Sequence, residues 1–376
     1  MNKLTAALTG LLTGLLALTP NLFAADSIRI GLLAPLTGSW ASEGQEMRQV
    51  VELLAEEANA RGGVLGKQIE IVTEDDGSDP RTASLAANKL AARGVAAVIG
   101  TYGSSITEAS QSIFDEADIV QIANGSTAVR LSAKGLKRFF RTCPRDDDQG
   151  KMAAEALKTL GAKRVAVLHD NTSYAKGLAE ESRDNLKAAG VEIIFFDALT
   201  PGELDYNAIL TKLKAANPDF VFYTGYFPEA GLLLRQKKEM GWNTPFLGGD
   251  AVNNPTLIET AGKAAAEGFY FVSPPLPSDL DSEAAKTFVA SFTKKHGHAP
   301  KSIYPVLAGD AFRVLVEALE KGGSTDSDKL TAYLKDSLKD FPGLTGTLAF
   351  GPTGDRIGQV YRLYRVDADG KFVLQP

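Results

Sequence analysis

The chain has 376 residues, of which 44% are hydrophobic and 23% charged, with a formal net charge of −6 and a single cysteine. That is ordinary globular composition, long enough for a full core and two domains of about 150 residues each. The mild acidity argues against nucleic acid or an anionic membrane as partner, and one cysteine, Cys143, leaves no internal disulfide.

At the N-terminus, Lys3 precedes a mostly apolar, charge-free run over 4–18, and Pro20 precedes the small pair Ala24-Ala25. This reads as a secretory leader, residues 1–24, cleaved after Ala24 or Ala25. The run is short for a membrane anchor and is interrupted by Thr5, Thr9 and Thr13, whereas a span needs about 20 apolar residues. No cysteine stands at the cleavage point, so the expected product carries no lipid and is freely soluble.

From there strands and helices alternate. SIRIGLLAP (27–35) predicts a strand, and residues 44–60 place Met47, Val50, Val51, Leu54 and Ala58 on one helical face, ended by Gly62-Gly63. QIEIVTED (68–75) is the next strand, Asp79-Pro80 opens the next helix, and AAVIG (96–100) and IVQIA (119–123) follow as strands. The same beat resumes with helices over 148–160, 176–189 and 205–215 between the strands RVAVLH (164–169), VEIIFFD, FVFYTG (220–225) and PFLGG (245–249).

Two βαβ series of similar length, divided near 141–150, predict two doubly wound α/β lobes. The second series ends at GFYFVS (268–273), and Pro274, Pro275 and Pro277 then form a stiff connector to helices over 283–296, 303–321 and 327–336. A terminal segment with alternating apolar residues and Gly-rich turns is expected to return to the second lobe. The expected division is 26–143 plus 275–345 for lobe one and 144–274 plus 346–376 for lobe two. About three crossovers then join the lobes, near 142–146, 273–277 and 343–350, which favours hinge closure on a ligand in the crevice.

Ser104, Thr127, Tyr174, Tyr226 and Asp250 each lie just past the C-terminal end of such a strand. In open parallel sheets that edge gathers helix N-termini and loop backbone around a ligand. Each residue has a local explanation as well. In GTYGSSITE (100–108), Ser105 and Glu108 have capping-box spacing, while Ser104 and the first backbone N–H groups suit a carboxylate. In NGSTA (124–128), Gly125 permits close backbone approach and Thr127 offers a hydroxyl, but an ordinary turn needs the same residues.

Asp250 either caps a turn or meets an ammonium group, and Tyr174 and Tyr226 are either half-buried aromatics or a clamp. Trp40 lies in the loop after the first strand, and Glu43 reads first as an acid in the opening turn of a helix.

Catalytic readings are poor. The histidines are His169, His296 and His298, with no GxSxG elbow around Ser104 or Ser105. EDDGSDP (74–80) lacks the length of a calcium loop, and GGVLGKQ has the wrong spacing for a phosphate loop. No metal or cofactor is expected.

The ordered series IGLLAPLTGSWASEGQEM, ARGGVLGKQIEIVTEDDGSDP, VIGTYGSS through IANGSTA, RTCPRDDDQG, HDNTSYAKGLAE, FYTGYFPEAG and GGDAVNNP resembles the periplasmic solute-binding proteins of branched-chain amino acid ABC importers. The resemblance runs through the whole chain after the leader. It implies type I lobes with three crossovers, a periplasmic monomer without enzymatic activity, an amino-acid ligand and an inner-membrane permease as partner. By that resemblance Ser104, Thr127 and the Gly125 backbone hold the ligand carboxylate, Asp250 holds its ammonium, and Tyr174 and Tyr226 are lobe-two aromatics.

The chain also departs from the family pattern. Ser78 and Gly103 stand where relatives carry a disulfide, Glu43 where they have a tyrosine, and Trp40 and Tyr102 in place of smaller aliphatics. Trp40, Glu43 and Tyr102 are therefore candidates for a side-chain pocket that is not plainly aliphatic. A ligand-sensing receptor module for an amide or other polar solute is the alternative in the same fold, and a hydrolase acting on amides is the alternative in chemistry.

Overall fold

The computed structural model describes residues 27–358 and 361–376. The leader and its cleavage position lie outside the described residues. The strands are β1 (Ile28–Ala34), β2 (Ile69–Asp75), β3 (Ala97–Ile99), β4 (Val120–Ala123), β5 (Phe139–Arg141), β6 (Arg164–His169), β7 (Glu192–Ala198), β8 (Phe220–Tyr223), β9 (Phe246–Gly248), β10 (Tyr270–Ser273), β11 (Phe341–Gly343), β12 (Gly346–Leu348), β13 (Arg362–Val366) and β14 (Phe372–Leu374).

Two sheets carry one topology. The first has the order β2-β1-β3-β4-β5, with every pairing parallel. The second runs β7-β6-β8-β9-β10, again parallel, and is extended by antiparallel β13 and β14. Strands β1, β3 and β4 are almost continuously buried runs, as expected of parallel strands covered by helices on both faces. In each sheet the strand order reverses beside the first strand of its series, so each lobe opens a crevice at its strand C-termini.

Helix boundaries follow local chemistry. Asp79 caps the Pro80–Ala92 helix by accepting from the Thr82 N–H at 2.8 Å, with Pro80 in the first turn. The first helix, Ala41–Ala60, begins before Gly44, which lies inside it: a Cβ there would sit 2.1 Å from the Pro35 carbonyl oxygen. The capping-box spacing at Ser105 and Glu108 is not used. Gly103 is the N-cap, Ser104 and Ser105 are already helical, and the Glu108 carboxylate points instead to Arg130 and Ser173.

Strand β12 pairs with β11 in a separate two-stranded ribbon, so the terminal chain enters the second sheet only at β13. Asp310, in the Ile303–Gly322 helix, holds that ribbon by accepting from the Leu344 and Thr345 N–H groups. The chain passes between the two sheets after β5, after β10 and after β12. Arg356 ties the first and third passages together, donating to the Thr142 and Thr345 carbonyls at 3.1 Å each.

Candidate functional site

The strand exits of both sheets converge. After β3 the chain turns through Tyr102 and Gly103 into the Ser104–Glu116 helix; after β4 it forms the loop 124–128. From the second sheet come Tyr174 in the first turn of Ser173–Ala188, Tyr226 as N-cap of Phe227–Glu239, and Asp250 opening the short 3-10 turn Asp250–Val252. The six candidates for gripping the ligand backbone, Ser104, Gly125, Thr127, Tyr174, Tyr226 and Asp250, sit at such exits, and the five with side chains are buried.

Asp250 lies at the centre of a hydrogen-bonded network. Its Oδ2 accepts from the Tyr361 hydroxyl at 3.1 Å, and its backbone N–H donates to Gln149 Oε1 at 2.8 Å. The same Gln149 oxygen accepts from the Tyr174 hydroxyl at 3.1 Å, while Gln149 Nε2 donates to Tyr361 and to Asp146 Oδ1 at 3.2 Å each. A glutamine suits this position because its amide both donates and accepts. Burial pushes the Asp250 carboxyl up to about 6, the surrounding hydroxyls and the Gln149 amide pulling it partly back.

Several buried polar atoms near this network make no hydrogen bond of good geometry within the protein. They include Asp250 Oδ1, Thr127 Oγ1, Tyr102 Oη and Asp146 Oδ2. Such groups are costly when unsatisfied, so a cluster of acceptors and hydroxyl donors between two lobes marks a place for a small polar molecule. Ser104 behaves differently, since its Oγ accepts from the Ala128 N–H at 3.2 Å and so joins the two lobe-one loops.

Aromatic rings surround the cluster. Trp40 of lobe one stacks on Tyr226 of lobe two with centroids 4.3 Å apart, Tyr174 packs on Tyr226 at 5.2 Å, and Tyr102 meets Tyr304 edge-on at 5.0 Å. Three glycines at strand exits lie directly against three of these rings. A Cβ on Gly103 would come within 2.6 Å of Trp40, one on Gly125 within 2.8 Å of Tyr102, and one on Gly249 within 2.4 Å of the Tyr174 hydroxyl.

Glu43 occupies the first helical turn, as its sequence position suggests, yet it is buried and joins the lobes. Its Oε1 accepts from Asn254 Nδ2 at 2.7 Å and its Oε2 from the Ser302 hydroxyl at 2.6 Å. Burial raises its carboxyl to about 8, with the two hydrogen bonds opposing and the Glu46 charge adding.

Beyond the Trp40–Tyr226 stack the lobes enclose an open cleft of about 780 Å³, with Trp40 and Tyr226 among its lining residues. A further interlobe contact spans its rim, where Ser173 donates to Glu108 at 2.8 Å and accepts from Arg130 at 2.6 Å.

Sequence reading missed Asp146, Gln149, Tyr304, Tyr361 and Arg141. Arg141 is fully buried and shapes the 124–128 loop, donating to the Ser126 and Ala128 carbonyls at 2.9 Å, to Ser132 and to Asp355. An arginine closing strand β5 carries no periodic signal. Asp146 resembles a helix-start acid, but its carboxyl is held well above the usual range by burial and by the nearby Asp250 charge.

Two doubly wound lobes whose facing strand exits bury polar and aromatic groups around one small site define a two-lobed α/β solute-binding protein. The periplasmic binding protein family matches residues 27–371, and the chain belongs to that family. It is 35% identical to the Leu/Ile/Val-binding protein BraC3 of Rhizobium johnstonii over 97% of this chain and 98% of that one. Among solved structures it is similar to the leucine-binding protein LivK of Thermotoga maritima, with a TM-score of 0.87 at 29% identity over 93% of this chain and 98% of that one. The branched-chain amino acid transporter substrate binding protein LivJ of Streptococcus pneumoniae, in complex with isoleucine, gives 0.85 at 29% identity over 93% and 99%.

Proposed function

We propose that this protein is the periplasmic substrate-binding component of an ABC importer, capturing one α-amino acid between its lobes and delivering it to membrane permease subunits. The observation that carries this reading is the enclosed cluster of unpartnered polar atoms, with Asp250 Oδ1 as an acceptor and Thr127 Oγ1 as a donor. A zwitterion meets both needs, its ammonium at Asp250 and its carboxylate at Thr127, the Ser104 helix start and the Gly125 backbone. Branched-chain side chains, named for the relatives, are the default class. The protein acts as a monomer and by binding alone, without catalysis.

Ligand that binds the closed native state adds RT ln(1 + [L]/Kd), about 2.7 kcal/mol at a hundredfold excess over Kd. A thermal-shift screen of the standard amino acids, small amides and sugars tests the assignment. Stabilisation by α-amino acids supports it, and a response confined to other solutes refutes it.

A further inference from the structure

We propose that the aromatic cage limits the bound amino acid to a short side chain, of the glycine, alanine or serine class, rather than the larger aliphatic side chains of the default. The proposal rests on the amino-acid reading and concerns what lies beyond the backbone grip. The rings around the cluster touch one another across the lobes: Trp40–Tyr226 at 4.3 Å, Tyr174–Tyr226 at 5.2 Å, Trp40–Tyr102 at 5.7 Å and Tyr102–Tyr226 at 5.9 Å between centroids. Admitting a long side chain requires separating at least one of these contacts.

Three of the four rings have no room to retreat within their own lobe. Against Trp40, Tyr102 and Tyr174 stand the backbones of Gly103, Gly125 and Gly249, each so close that a single added Cβ would collide with the ring or its hydroxyl. The Trp40 backbone is pinned as well, its N–H donating to Ser78 Oγ at 3.1 Å. Tyr102 also meets Tyr304 edge-on.

Glu43 offers a long basic side chain no free acceptor. Glu43, one turn beyond Trp40, already spends both carboxylate oxygens on Asn254 and Ser302. The size of the cage, set by the backbone glycines packed against its rings, thus determines selectivity.

The test is calorimetric titration of the full mature protein with glycine, L-alanine, L-valine and L-leucine, repeated on Trp40→Ala and Tyr102→Leu. The parent is expected to prefer alanine over leucine by about tenfold or more, since forcing extra methylenes into a packed site carries that penalty. Each variant should shift the ratio towards leucine, and either one suffices should the other fail to fold. Leucine binding as tightly as alanine in the parent overturns the size limit while upholding amino-acid capture. Failure of every amino acid to bind overturns the amino-acid reading, and the size limit falls with it.

Discussion

The indole of Trp40 lies on the ring of Tyr226 at an interplanar angle of 30°, and the two residues belong to opposite lobes. Opening the hinge separates them, so the stack is a contact of the closed form. Trp242 is different: it packs on Phe246 at 5.6 Å, inside lobe two. Of the two tryptophans, Trp40 is the one stacked across the lobes.

Tyr226→Ala should therefore weaken ligand binding by about three- to tenfold, because an aromatic pair contributes about 0.5–1.5 kcal/mol beyond its buried area. The ligand-induced change in tryptophan emission should shrink with it. Calorimetry and emission spectra measure both, and an unaltered emission response would exclude the stack as a closure contact.

Asp250→Ala should cost on the order of 2–5 kcal/mol of affinity by leaving a desolvated ammonium unpaired, with Ser104→Ala costing less. Affinity should also depend on pH. With its carboxyl pushed up to about 6, Asp250 must lose a proton below that pH before it can hold an ammonium. Binding should thus be level above pH 6 and weaken by about tenfold per unit beneath it. Asp250→Asn should bind weakly with no such slope; a slope that persists assigns the titration to another group.

Glu43→Gln bears on stability. The folded carboxyl is raised to about 8 from 4.5, so between those values the folded chain keeps a proton that the unfolded chain has released. Stability from this group consequently falls as pH rises through that window. Glutamine mimics the protonated acid and keeps partners for Asn254 and Ser302. The variant should melt higher than the parent near pH 8 and much the same near pH 5, which thermal denaturation at the two pH values reads directly.

Arg141→Met should destabilise the protein by about 3–5 kcal/mol, the cost of breaking a buried ion pair. It strands the Ser126 and Ala128 carbonyls and removes one partner from Asp355. Chemical denaturation checks the loss. A deficit under about 0.5 kcal/mol, the range of ordinary surface substitutions, would show that the 124–128 loop keeps its form without the guanidinium.

Much of this architecture was legible because parallel α/β folds write a simple pattern: buried runs, helical periodicity, and polar residues at strand exits. That rule places Tyr174, Tyr226 and Asp250 at strand exits, where the structure has them buried together. Tyr304 and Tyr361 fall outside it, since they reach the site through later crossings of the chain, and nothing in the local sequence of the Ile303–Gly322 helix or of the stretch before β13 announces a cleft. Gln149 was hidden differently. One turn past three consecutive acids it looks like helix surface, and only the tertiary packing that buries Asp146 beside Asp250 gives its amide two clients. Gly44 misled in the opposite sense, reading as a helix start when it marks a close backbone crossing inside the helix.

Three strips of backbone, two of them laced together by Arg356 and by the Arg141 N–H to Gly354 carbonyl bond at 3.0 Å, join halves that share a strand order. A single strip would let one half swivel on the other like a bead on a string. Strips fixed side by side resist torsion and yield only to bending, as a door does on several pins. Bending is thus favoured over twisting as the way the halves part and return, and a return by bending brings Trp40 back towards Tyr226 and Asn254 back towards Glu43. Whatever recognises the closed shape meets a single surface rather than a family of them.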